Sequence, residues 1–127
     1  MPSELDRKLT AIMDRLLTPG SQFETTVVTR GGLDYPAFVH APPSLPALYG
    51  FAAERYGDAP FLVDGDLRLT FSETLGLARR LASGLLASHD ITRGDRIGIA
   101  ARNSANWIIA YMAITLAGGC ATLLNGW

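Results

Sequence analysis

Lysine is almost missing: Lys8 is the only lysine among eleven basic residues, the rest being arginine. Any lysine-dependent chemistry would have to use that one residue, on a polar N-terminal segment. Cysteine is limited to Cys120, which excludes an internal disulfide and any multi-cysteine metal site. Histidine occurs twice, as His40 and His89, with no Asp or Cys at ligand spacing around either, so neither is expected to bind metal or act in catalysis. The net charge of −1 leaves no electrostatic footprint for nucleic acid. Like charges run no further than Arg7-Lys8 and Arg79-Arg80. The opening MPSELDRKLT is charged where a secretory signal needs an apolar core, which makes the cytoplasm the expected compartment. Acidic residues stop at Asp95, and charge of either sign stops at Arg102, so Asn103 to Trp127 is uncharged.

What is present describes a folded chain. The 127 residues fit one domain at most, and 48% hydrophobic with 18% charged residues is far from the composition of a disordered segment. Ser3 to Leu17 reads as a helix capped by Ser3, with Leu5, Leu9, Ile12, Met13, Leu16 and Leu17 at helical spacing. Pro19-Gly20 ends it. Gln22 to His40, with Gly31-Gly32 at its middle, reads as a two-stranded ribbon or extended arm. After Pro42-Pro43, Ser44 opens a second helix that tolerates Pro46 in its first turn.

The most legible text begins at Phe61. FLVDGDLRLTF reads as a β-hairpin turning at Asp64-Gly65-Asp66. Thr70-Phe71-Ser72-Glu73 reads as a capping box. It opens a helix with Leu75, Leu77, Ala78, Leu81, Ala82, Leu85 and Leu86 on one stripe, ending near His89. Thr92 to Asp95 forms a turn, and RIGIAA (Arg96 to Ala101) a buried strand. Asn103-Ser104 caps a helix over Ala105 to Ala117, which Gly118-Gly119 breaks before the strand CATLL. Strand–helix–strand of this kind implies a parallel βαβ unit, right-handed by the crossover rule. The same uncharged text, Ser104 to Leu124, is also long enough to cross a bilayer, with Trp107 and Trp127 near its ends as interfacial tryptophans would be. A membrane-anchored chain is therefore an alternative. Gly118-Gly119 and the scattered Asn106, Thr115 and Thr122 favour a buried helix and strand.

Four patterns in this region resemble the N-terminal part of the adenylate-forming (AMP-binding) superfamily, which includes acyl-CoA synthetases. Leu69-Thr70-Phe71-Ser72-Glu73 is similar to the family's Leu-Thr-Tyr-x-Glu. Gly94-Asp95-Arg96-Ile97 is similar to its Gly-Asp-x-Val, and Asn103-Ser104-x-x-Trp107 to its Asn-Ser-x-x-Trp. Leu116-Ala117-Gly118-Gly119-Cys120, running on to Leu124-Asn125, is similar to its Leu-x-Ala-Gly-Ala-x-x-x-Pro-Leu-Asn, with Leu123 where the family often has proline. The resemblance implies an α/β fold. Residues 1–54 would be N-terminal helices and an extended arm. Residues 55–127 would be the start of the AMP-binding domain, interrupted before its phosphate-binding loop. It also implies a parent ATP-dependent carboxylic acid–CoA ligase using ATP, Mg and coenzyme A, and a small-molecule acid as substrate. The remainder of the domain would cover the exposed sheet edge.

The chemistry such an enzyme needs is not in this text. No Ser/Thr/Gly-rich loop precedes a lysine, and Arg30-Gly31-Gly32 lacks both the hydroxyls and a following helix. No catalytic, cofactor-binding or metal-ligating residue is assigned, and the chain alone is expected to be catalytically incompetent. A stand-alone α/β binding module without enzymatic activity is the other alternative. Asp64 and Asp66 are expected to be solvated turn residues, Glu73 a cap, and Arg79-Arg80 solvent-facing. Cys120 is expected to be a small buried hydrophobe, and Trp107 to pack on the sheet or between segments.

Overall fold

The computed structural model describes residues 2–124, and the chain divides into two compact units, Met1–Pro42 and Pro43–Trp127. In the first, α1 (Glu4–Leu16) starts at a reciprocal cap. The Asp6 N–H donates to the Ser3 hydroxyl at 3.1 Å, and the Ser3 N–H donates to the Asp6 carboxylate at 2.8 Å. Strands β1 (Thr25–Arg30) and β2 (Leu33–Phe38) pair antiparallel. Gly31 and Gly32, at φ 59° and 80°, form the two-residue loop, which needs positive φ at both positions to match strand twist. None of residues 2–42 is buried.

The second unit carries all the buried residues among those described. Helix α2 (Leu45–Tyr56) is capped by Ser44, whose hydroxyl accepts from the Ala47 N–H, and it holds Pro46 in its first turn. Strands β3 (Pro60–Asp64) and β4 (Leu67–Thr70) form the hairpin, with Gly65 at φ 56°. The chain passes straight from β4 into α3 (Phe71–His89). Asp90, at φ 47°, stops that helix in a left-handed conformation of the kind that short polar side chains tolerate. Strand β5 (Arg96–Ile99), helix α4 (Ala105–Leu116) and strand β6 (Cys120–Leu123) follow, with β5 and β6 parallel and Ile97 opposite Ala121. The fold is thus α/β, with a hairpin followed by α-β-α-β, as the sequence implies.

Helix α4 is 12 residues long, well short of the roughly 20 a bilayer requires. Among the described residues no helix is long and apolar enough to cross a membrane. The run Ser104 to Leu124 is instead a cap, a helix, a glycine turn and a strand. Asn125, Gly126 and Trp127 lie outside the described residues, and with them the final Asn of the fourth pattern and the second interfacial tryptophan.

Helices α3 and α4 form the centre. Leu75 and Ala78 of α3 pack with Ile109 and Met112 of α4. Ala78 and Ala113 have no exposed surface, and side chains this small let the helices come close. Tyr49 and Ala53 of α2 and Leu62 and Leu69 of the hairpin close over this cluster. The β5–β6 pair presents only one face to the helices. Ile97 and Ile99 alternate onto the covered face, where Ile99 is buried, whereas Arg96, Gly98, Cys120 and Thr122 share the bare face. Cys120 is therefore an exposed free thiol, not the buried hydrophobe expected. Its place in the period-2 alternation, not its chemistry, decides its exposure.

Candidate functional site

The family-like patterns converge on the second unit, and each is a cap or a turn. Thr70 and Glu73 form the expected capping box. The Glu73 N–H donates to the Thr70 hydroxyl at 3.1 Å, and the Thr70 N–H donates to the Glu73 carboxylate at 2.8 Å. Thr74, fully buried, donates its hydroxyl to the Thr70 carbonyl at 2.7 Å, so no polar atom is orphaned there. Ser104 caps α4 by accepting from the Trp107 N–H at 3.2 Å. Trp107 stacks on Tyr111 one turn along the same helix, with centroids 5.8 Å apart.

Two of the patterns are also bonded to each other. Asp95 closes its own turn by accepting from the Thr92 N–H at 2.7 Å. Its carbonyl takes the Cys120 N–H at 2.7 Å, and the Gly94 N–H donates to the Gly118 carbonyl at 2.9 Å. The Gly-Asp turn before β5 and the Gly-Gly turn before β6 are thereby held side by side, which sets the register of the parallel pair. Gly118 supplies φ 86°. Gly119 supplies space, because a Cβ there would lie 3.0 Å from Ile97 Cδ1 and 3.3 Å from the Asp95 carbonyl.

Asp64 departs from expectation. It is exposed, yet it is not merely solvated: its carboxylate accepts from the Ala105 N–H at 2.9 Å. That amide is one of the first-turn donors of α4 that no intrahelical partner can satisfy, and the negative charge sits at the positive end of the helix dipole. The hairpin turn thus holds the start of a helix 41 positions away. No local signal could have shown it. The hydrogen-bonded contact of Tyr49 with Thr115, at 3.1 Å, was equally invisible.

Lys8 pairs with Glu4 at 2.7 Å on α1. His40 lies 3.7 Å from Glu24, and His89 ends α3. Arg79 and Arg80 are exposed, as expected. Among the described residues no three His, Cys, Asp or Glu side chains lie close enough to hold a metal. The Gly31-Gly32 turn leads into β2, not into a helix whose amides could cradle phosphate. Of the carboxylates in the turns and caps, Asp6, Asp64, Glu73 and Asp95 are engaged by backbone N–H groups, whereas Asp66 and Asp90 are exposed. The residues described here therefore do not fit ATP with Mg.

What the geometry defines is a scaffold, and its family follows from comparison with known proteins. The model of the AMP-binding enzyme family matches residues 51–126, and the chain belongs to that family. The medium/long-chain-fatty-acid–CoA ligase FadD6 of Mycobacterium tuberculosis is 34% identical over 103 residues, covering 80% of this chain and 17% of the ligase. Among solved structures, the O-succinylbenzoate coenzyme A synthetase of Bacillus subtilis in complex with AMP superposes with a TM-score of 0.57 and 31% identity, over 61% of this chain and 20% of that one. The N-terminal subdomain of NpsA from Klebsiella oxytoca shares the fold at a TM-score of 0.61 and 21% identity, over 65% of this chain and 21% of its own. The chain thus spans about a sixth of the length of the curated ligase it matches.

Proposed function

We propose that this chain is the N-terminal portion of an ATP-dependent carboxylic acid–CoA ligase. In this reading residues 1–54 form N-terminal helices and an extended arm, and residues 55–127 the opening of its adenylation domain. The observation that carries the reading is the family match over residues 51–126, laid on the cap-and-turn framework from Thr70 to Cys120. The coenzyme A ligases among its relatives support an acid and a thiol as the substrates of the whole enzyme. Activation in such a ligase joins the acid carboxylate to AMP with release of pyrophosphate, and thiol attack on the adenylate then releases AMP. ATP, Mg and coenzyme A would be held by residues outside this segment, where the Ser/Thr/Gly-rich loop and the lysine that its sequence lacks would lie.

The role of this segment is positional. The βαβ unit offers a bare sheet face at Arg96, Gly98, Cys120 and Thr122, and parallel sheets are covered on both faces. We assign that face, and the open edges of β5 and β6, to the rest of the adenylation domain. The test is pyrophosphate exchange with ATP across a panel of fatty and aryl acids. The 127-residue chain alone should give no exchange, and the same chain joined to the remainder of a related ligase's adenylation domain, in place of that ligase's own matching N-terminal segment, should give exchange that depends on the acid. Exchange by the chain alone would overturn the assignment of inactivity. A joined protein that folds but activates no carboxylic acid would overturn the ligase reading.

A further inference from the structure

A cavity of about 250 Å³ opens in the second unit where α2, the hairpin, α3 and α4 meet. The Phe61 and Phe71 rings, 4.4 Å apart, build one wall, and Leu75 and Met112, both buried, form the floor. Leu48 and Ala52 of α2 complete the lining. Leu48 is 40% exposed and Phe61 39%, so the mouth is open and a small molecule can enter without unfolding the core. The one side-chain oxygen or nitrogen in the lining is the Tyr49 hydroxyl, and Thr115 Oγ1 at 3.1 Å already engages it.

These features select a ligand class. A charged or strongly hydrogen-bonding group would lose its water here and gain no partner. A hydrocarbon group would displace water from the apolar lining and take that surface out of solvent. A closed apolar cavity of roughly 150 Å³ holds benzene, so the space here, open at its mouth, is large enough for one ring. We propose that the cavity is a binding site for a small neutral hydrocarbon group, the size of one aromatic ring or a short alkyl chain. It requires neither ATP nor the rest of a ligase, and so stands apart from the function proposed above.

The test is methyl NMR on the full chain labelled at its methionines and titrated with benzene. Met112 reports the cavity, and Met13, exposed on α1, serves as the internal control. A saturable shift of the Met112 methyl with none at Met13 is expected. Ala52→Leu fills the space and should abolish that shift with helical circular dichroism unchanged. Should that variant misfold, Ala52→Val intrudes less and should weaken the binding while keeping the fold. The proposal fails if Met112 does not shift up to the solubility of benzene, if Met13 shifts equally, or if a folded Ala52→Leu protein keeps the response. It also fails if Met112 shifts on concentrating the protein without benzene, which would make a second copy the occupant.

Discussion

At the residue scale, two adjacent glycines do different work, and substitution separates them. Gly118 needs its positive φ but has open space around it, with the nearest atom 3.8 Å from a built Cβ. Gly118→Ala should cost about 1–2 kcal/mol of backbone strain, and Gly118→Asn less, because asparagine tolerates this conformation. Gly119 has no such backbone demand but meets Ile97, Ile114 and the Asp95 carbonyl at 3.0–3.3 Å. Gly119→Ala should cost about 1–3 kcal/mol through overpacking, and Gly119→Asn more, reversing the order at Gly118. Urea denaturation of the four variants checks both orders. Asp64 offers a second test. Asp64→Ala leaves the amide of the buried Ala105 without its acceptor and should cost about 1–2 kcal/mol. Asp64→Asn keeps an oxygen there and should cost less. Faster hydrogen exchange at Ala105 in the alanine variant identifies the cause. That Asp64 sits on a turn was legible from Asp-Gly in the sequence; that it caps α4 was not, because the helix it serves is remote in the chain.

At the scale of elements, start and stop signals in the text translate directly into structure. Ser3, Ser44, Thr70 and Ser104 each cap the helix that follows them, because a side-chain oxygen one residue before a helix can reach an orphan amide wherever it occurs. What each helix packs against was not readable in that way. Helix α1 carries Leu5, Leu9, Ile12, Met13 and Leu16 on one stripe, and all are exposed. A two-stranded hairpin and a 13-residue helix with no buried residue are marginal on their own. A peptide of residues 1–42 should therefore melt without a cooperative transition in circular dichroism. The α1 cap should also depend on pH. Hydrogen bonds from the Ser3 backbone amide, and then from its hydroxyl, hold the Asp6 carboxyl below its ordinary value. The cap is therefore fully formed above the usual carboxylate range and is lost as pH falls through the lowered value. In the full chain, an NMR titration of the Ser3 amide should show its midpoint below that of a free aspartate; a midpoint at the ordinary value would contradict the cap.

At the scale of the molecule, apolar surface dominates what the chain should do by itself. Leu123, at the end of β6, and Leu124, which lies over Gly98 of the bare face, are each 52% exposed, and a short sheet with open edges invites association. The 127-residue chain should bind a hydrophobic dye and associate as its concentration rises, and Thr122→Lys, which places charge on the bare face, should reduce both effects. A dye-free monomer at every concentration in analytical ultracentrifugation would show that this surface is satisfied within the chain. The sequence by itself determined the order of elements, the caps and turns, and the family, because these depend on side-chain oxygens, glycines and apolar spacing over a few adjacent residues. Only the tertiary structure decided that Cys120 is exposed, that Asp64 serves α4, that Tyr49 meets Thr115, and that a cavity remains between Phe61 and Met112. Those outcomes depend on which residues meet across tens of positions, and on which sheet face is covered, and local spacing carries neither.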